Sequence, residues 1–131
     1  MQKTSEFSFT LKPSTIPEAG IGVFVVHPVA AGVRLKVLPD GFQSRRLRRK
    51  DIPDAFMRHC IAKEGGWYLC PPMFNRMEIG WYMNHSTEPN TEVRDDGYYA
   101  LRDLQEGEEI LIDYNQLGEP EAQKEAYYKR L

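Results

Sequence analysis

Asn84 and His85 stand side by side in the run Trp81-Tyr82-Met83-Asn84-His85-Ser86-Thr87-Glu88-Pro89-Asn90, and Tyr114 closes the run Glu106-Gly107-Glu108-Glu109-Ile110-Leu111-Ile112-Asp113-Tyr114. A side-chain amide donates and accepts hydrogen bonds at once, so Asn84 suits a ligand that presents both kinds of group. Gly20 and Gly22 flank Ile21 near the N-terminus, and glycines there let the backbone approach a ligand closely. Taken singly, each feature has a plainer reading: two glycines before a strand are a turn, His85 is a satisfied core histidine, and Tyr114 is a half-buried strand tyrosine. Nucleophile chemistry through Cys60 or Cys70 with His59 has only composition behind it. The pair His59-Cys60 on an apolar stripe reads as core.

The elements that must position these residues belong to a short chain. At 131 residues it is expected to form one domain, residues 1–131, with a core over about 6–115 and a C-terminal helix over about 119–131. Hydrophobic residues make up 41% and charged ones 27%, the balance of a globular chain. A net charge of −2 gives no overall basic field, so neither nucleic acid nor a membrane is expected as a direct partner. The apolar stretch 21–26 is too short to span a bilayer, and residues 1–5 have no apolar segment of signal-peptide type. Two cysteines cannot build a disulfide framework, which points to a reducing, cytoplasmic or otherwise intracellular setting rather than secretion.

Periodicity predicts a mostly β chain with short helices. Phe7, Phe9 and Leu11 alternate with polar residues, residues 21–26 form a compact buried strand, and residues 33–37 alternate again after Gly32. Arg94-Asp95-Asp96-Gly97-Tyr98 reads as a hairpin turn. Residues 109–114 form a last strand with Ile110, Ile112 and Tyr114 on one face. Helical spacing occurs at Ile52, Phe56, Met57, Cys60 and Ile61, behind Asp51 and Pro53, and again over 119–131, where Glu125 stands four residues before Lys129. The basic run Arg45-Arg46-Leu47-Arg48-Arg49-Lys50 has the charge to grip phosphate or an acidic protein surface. The plainer reading is a solvated loop or helix start.

Taken together and in this order, the Gly20-x-Gly22 turn, the Asn-His-Ser-x-x-Pro-Asn run and the Gly-Glu-Glu strand ending Asp-Tyr resemble the SET domain, the fold of many protein-lysine methyltransferases. The resemblance covers roughly residues 6–115. It implies small curved sheets and a C-terminal pseudoknot that brings Asn84-His85 beside Tyr114. It implies S-adenosylmethionine as cofactor, leaving S-adenosylhomocysteine after in-line methyl transfer to a neutral lysine amine. By the same resemblance Gly20, Ile21, Gly22, Tyr82, Asn84, His85 and Tyr114 would contact the cofactor, and Tyr114 would be the catalytic tyrosine. Tyr68, Val93 and Ile112 would line the lysine channel. Neither Val93 nor Ile112 carries a hydroxyl, so products beyond monomethyl-lysine are expected. The partner implied is a lysine-bearing protein or peptide.

The sequence departs from many histone-directed members in two places. Thr87 stands where they carry Cys, and residues 115–131 contain no cysteine, so no structural zinc or other metal is expected. The outer wall of the channel must then come from elsewhere. Tyr127 and Tyr128 are candidates, either within one subunit or across a homodimer, or they only dock the last helix. Tyr82 packs on the cofactor or on the core, and Trp81 stands where many relatives place Arg. The alternative to an enzyme is a SET-like module that binds a protein tail or cofactor and transfers nothing.

Overall fold

The computed structural model of the chain describes residues 9–39, 41–124, 127 and 128. Ten short strands run β1 Phe9–Pro13, β2 Ile21–Val25, β3 Arg34–Leu35, β4 Arg45–Arg48, β5 Ile61–Ala62, β6 Trp67–Cys70, β7 Asn84–His85, β8 Thr91–Arg94, β9 Gly97–Ala100 and β10 Leu111–Ile112. They make four small sheets, ordered β1-β2, β10-β7, β3-β9-β8 and β4-β6-β5. Among the described residues the helices are short 3-10 segments of three to six residues. The mostly β architecture expected from periodicity is what the chain adopts.

The sheets share one core, in which Val23, Val25, Val29, Leu35, Val37, Met83, Ala100, Leu104, Ile110 and Ile112 are buried. β2 supplies Val23 and Val25, while Ile21 and Val26 at the ends of the predicted strand are exposed. The expected hairpin is present, with Val93 opposite Tyr98 and Arg94 opposite Gly97. In β1 Phe9 is half-buried but Leu11 is exposed; Phe7 lies outside the described residues.

Three expectations need correction. The predicted helix over residues 52–61 is a 3-10 turn at Asp54–His59, entered from Pro53 with no side-chain cap. It stops because Cys60 is extended and the next two residues pair with β6, Ile61 opposite Leu69 and Ala62 opposite Tyr68. Six residues give too few hydrogen bonds for an α-helix to outlast that competition. The basic run is a strand before it is a helix start: residues 45–48 form β4, with Leu47 half-buried opposite Tyr68, and only Arg49 and Lys50 open a 3-10 turn, Arg49–Asp51. The C-terminal helix is absent over 119–124, where a 3-10 turn, Glu121–Gln123, ends at an extended Lys124. The Glu125–Lys129 pair lies outside the described residues.

The last strand changes partners along its length. Val25 donates its N–H to Glu108 O at 3.0 Å and Ile110 donates to Val23 O at 2.7 Å, which ties residues 108–110 to β2. Two residues further on, Leu111 and Ile112 run parallel to Asn84 and His85. Segment 84–90 then folds around this strand, with the Ser86 N–H on Ile112 O at 2.9 Å and the Asn90 N–H on Leu111 O at 3.2 Å. This crossing of two segments distant in sequence sets the asparagine-histidine pair beside Tyr114.

Asn90 is the clamp on the crossing. Its side chain is buried, donates from Nδ2 to Glu109 O at 2.8 Å, and accepts from the Leu111 N–H at 2.9 Å and the Thr91 hydroxyl at 3.0 Å. Replacing it by Ala strands a buried carbonyl and a buried N–H, at about 1–3 kcal/mol for each group left unmet. Asn90→Ala is therefore expected to lose roughly 2–5 kcal/mol of stability in urea titration. A loss within error of zero would remove Asn90 from this role.

Candidate active site

Tyr114 sits where the last strand gives way to a 3-10 turn, Tyr114–Leu117, capped by the Asp113 carboxylate accepting from the Asn115 N–H. An aspartate at an N-cap satisfies a backbone donor that the turn leaves open. The Tyr114 ring packs against the core that holds Ile110 and Ile112. Its backbone N–H donates to His85 Nδ1 at 3.0 Å, so His85 is an acceptor at that nitrogen. Its hydroxyl donates to Met83 O at 2.7 Å. Burial, and then the neighbouring Tyr127 phenol, push the Tyr114 hydroxyl well above the ordinary phenol range.

Around these residues lies a cavity of about 1400 Å³. Gly20, Ile21, Tyr68, Tyr82, Asn84, His85, Ile112 and Tyr114 all line it, so most of the residues singled out in the sequence meet here. Tyr82 packs edge-on against His59, whose Nδ1 donates to Trp81 O at 3.0 Å. Burial lowers the His59 pKa despite that hydrogen bond, so the ring is neutral at pH 7.

Two expected residues are not part of the wall. Val93 is replaced there by Tyr98, its partner across the hairpin. Both side chains share a face of the sheet, and only the tyrosine belongs to the lining. Gly22 lies away from the cavity, against Glu109: a β-carbon at this position would come within 2.8 Å of the Glu109 carboxyl carbon and 3.3 Å of Asn84 Nδ2. The missing side chain makes room for a buried carboxylate. Gly20, by contrast, lines the cavity and has a positive φ of 80°, a conformation that favours glycine.

Glu109 accepts from the Ser14 hydroxyl at 2.7 Å, the Thr15 N–H at 2.8 Å, the Thr15 hydroxyl at 2.6 Å and Asn84 Nδ2 at 3.0 Å. Burial alone would raise its pKa, but the hydrogen bonds from Asn84, Thr15 and Ser14 outweigh that and hold it below the ordinary value. Asn84 Nδ2 also donates to Ile21 O at 3.0 Å, so one amide joins the glycine turn to the last strand.

The outer wall comes from the same chain. The rings of Tyr127 and Tyr128 stand 6.3 and 5.2 Å from that of Tyr114, and 6.1 and 5.6 Å from that of His85, between ring centres. Glu119 fixes this wall, accepting from the Tyr128 hydroxyl on one oxygen and from the Ala62 N–H at 2.9 Å on the other. Asn115 Nδ2 adds a bond to Tyr128 O at 2.8 Å.

Arg58 is a site residue that the sequence did not announce. Its guanidinium lines the cavity, donates to Ala19 O at 2.7 Å and acts electrostatically on Tyr114. A lone arginine beside an apolar stripe carries no motif. The cysteines look inert, since burial and the adjacent Cys70 thiol push Cys60 far above the thiol range. Among the described residues no three His, Cys, Asp or Glu side chains are grouped to hold a metal ion.

The cavity's chemistry fits S-adenosylmethionine. Arg58 offers a cation for a carboxylate, Asn84 an amide for polar edges, and Tyr114, Tyr127 and Tyr128 offer electron-rich ring faces for a cationic sulfur. The volume exceeds what a drug-sized ligand alone needs, leaving room for a substrate side chain.

The Gly22–Glu109 contact generates a test. Gly22→Ala should destabilise the protein by roughly 1–3 kcal/mol through overpacking. The loss should shrink markedly in a Glu109→Ala background, because the obstructing carboxylate is gone. Chemical denaturation of all four members of the cycle reads the coupling, and additive losses would contradict the steric account. Because the folded-state pKa of Glu109 is depressed, its contribution is present above the unfolded value near 4.3 and lost as pH falls through the folded value.

Comparison with known proteins agrees with this geometry. A family model described as the SET domain matches residues 20–115. Comparison with curated proteins finds no match. Among solved structures the chain is similar to the crystal structure of a Plasmodium falciparum protein, a proposed histone methyltransferase, with 21% identity and a TM-score of 0.55 over 86% of this chain and 93% of the other. That likeness is one of fold. With most of its length matched by the family model and its small sheets in the same arrangement, the chain belongs to the SET-domain family.

Proposed function

We propose that this SET-domain protein is an S-adenosylmethionine-dependent protein-lysine N-methyltransferase. The observation that carries the reading is the Tyr114 hydroxyl, bonded to Met83 O on the wall of a cavity shared with Asn84 and His85. When bound, S-adenosylmethionine supplies an electrophilic methyl group, so the protein's own work is binding, alignment and proton control. Gly20, Ile21, Asn84, His85 and Arg58 are the residues that would hold it.

A lysine amine has a solution pKa of about 10.4 and must be neutral to act as a nucleophile. Tyr68, Tyr98, Ile112, Tyr114, Tyr127 and Tyr128 line one part of the cavity, where largely apolar walls would disfavour the charged ammonium. With its proton committed to Met83 O, Tyr114 keeps oxygen lone pairs for orienting the amine. Its raised pKa keeps it neutral, so it is an aligning and electrostatic group rather than a general base. Tyr98, half-buried and with its pKa raised by that partial burial, brings to the wall a hydroxyl that Val93 and Ile112 lack. This weakens the expectation of products beyond monomethyl-lysine.

The direct test is transfer of a labelled methyl group from S-adenosylmethionine to lysine in a protein mixture, read by mass spectrometry. Binding of the cofactor with no labelled lysine would favour a binding module. Tyr114→Phe should cut kcat on the order of 10²-fold while cofactor affinity, followed by calorimetry, changes little. Near-normal turnover would take Tyr114 out of the mechanism. Across pH 7 to 10 the rate should rise as the amine loses its proton, with no downturn from Tyr114 ionising near 10, because its neutral form is favoured in the fold.

Asn84→Ala should weaken S-adenosylmethionine binding by about 1–3 kcal/mol in calorimetric titration. It should also cost stability at neutral pH, since Glu109 loses one of its donors. Unchanged affinity with lowered stability would make Asn84 structural alone.

A further inference from the structure

The basic run at residues 45–50 takes no part in the cavity, and its position in the fold calls for an explanation of its own. β4 is the outer strand of the β4-β6-β5 sheet, and among the described residues no strand pairs with its other edge. An unpaired edge presents a row of backbone N–H and C=O groups to any extended chain. Here five of the six residues from Arg45 to Lys50 are cations, all of them exposed, in a protein whose net charge is −2.

Two of these arginines are held in place. The Arg48 guanidinium lies 3.8 Å from the centre of the Trp67 ring and donates to Gly65 O at 2.6 Å. That of Arg45 lies 5.1 Å from the centre of the Phe74 ring. Arg49 is occupied by Asp54 and by Ile52 O. The side chains of Arg46 and Lys50 make no hydrogen bond or ion pair among the described residues, and Arg46 shares a strand face with Arg48.

We propose that the outer edge of β4 docks an extended acidic segment of the lysine-bearing polypeptide that the cavity takes; this rests on the methyltransferase reading. A strand added here forms backbone hydrogen bonds along β4 and sets alternate carboxylates against Arg46 and Arg48. Stacking on Trp67 lowers the ordering cost for Arg48, which separates this edge from one that merely carries solvated charges against aggregation. Tyr68 of the cavity wall is paired with Leu47, so the docked strand runs two strand spacings, roughly 10 Å, from the Tyr68 backbone. A few extended residues bridge that distance. Nucleic acid fits less well, because Trp67 and Phe74 are covered by guanidinium groups and are not open to stack bases.

The experiment uses a fluorescein-labelled peptide of alternating Glu and Val, followed by anisotropy against the full chain. Its controls are the same peptide with alternate amides N-methylated, a Lys-Val counterpart, and a single-stranded oligonucleotide. Binding should be salt-dependent, abolished by N-methylation, and at least about tenfold weaker in Arg46→Glu/Lys50→Glu. Binding that survives N-methylation, or an oligonucleotide that binds in place of the peptide, would overturn the proposal. So would no binding to the parent chain together with aggregation of the variant, which would make the charges edge protection. A second arm compares lysine peptides with and without the acidic stretch, the stretch lowering KM and leaving kcat unchanged. Docking with neither peptide methylated would uphold the edge and sink the methyltransferase reading; methylation of both at equal KM would do the reverse.

Discussion

A carboxylate buried in a protein interior must be met by donors, and in this chain that requirement organises the whole site. Glu109 receives hydrogen bonds from Ser14 and Thr15 in the β1–β2 loop and from Asn84 on β7. Three stretches of chain are thereby fixed to one another before any ligand arrives. The same carboxylate dictates what β2 can carry, since only glycine at position 22 leaves it space. Glu109 itself belongs to the Gly-Glu-Glu strand, so through it and Asn84 all three motif elements are joined.

The far wall is organised by a second carboxylate. Glu119 bonds the Ala62 N–H of β5 and the Tyr128 hydroxyl, and Lys63 Nζ donates to Leu117 O at 3.0 Å beside it. These contacts bring Tyr128 against Tyr114 and His85 within one chain. One carboxylate thus braces the glycine-turn side of the cavity and the other the tyrosine side.

Much of this was legible in the sequence, and the exceptions have particular causes. Asn84, His85 and Tyr114 could be read because their short motifs are contiguous in the chain. What requires glycine at position 22 is Glu109, far along the chain, and its Ser14 donor is itself 95 positions away, so no local pattern shows either contact. The stripe at 52–61 has helical spacing, yet β6 captures its last residues, a tertiary competition that periodicity cannot register. Val93 and Tyr98 face each other across one hairpin, and Tyr98 lines the cavity by the reach of its longer side chain, which pairing alone does not reveal. Arg58 has no local pattern to reveal it.

The crossing of segment 84–90 around the last strand has a kinetic consequence. The hairpins β1–β2 and β8–β9 close over short stretches of chain and can form early and locally. Residues 108–112 cannot be seated until nearly all of the sequence before them exists, and Asn90 must close over them afterwards. Bringing together groups so far apart carries a loop-closure entropy that no intermediate contact repays, so folding should wait on this one event. During synthesis on the ribosome the site would remain unassembled, with Asn84 and His85 lacking their strand partner and Tyr114 still absent, until the last strand has left the exit tunnel.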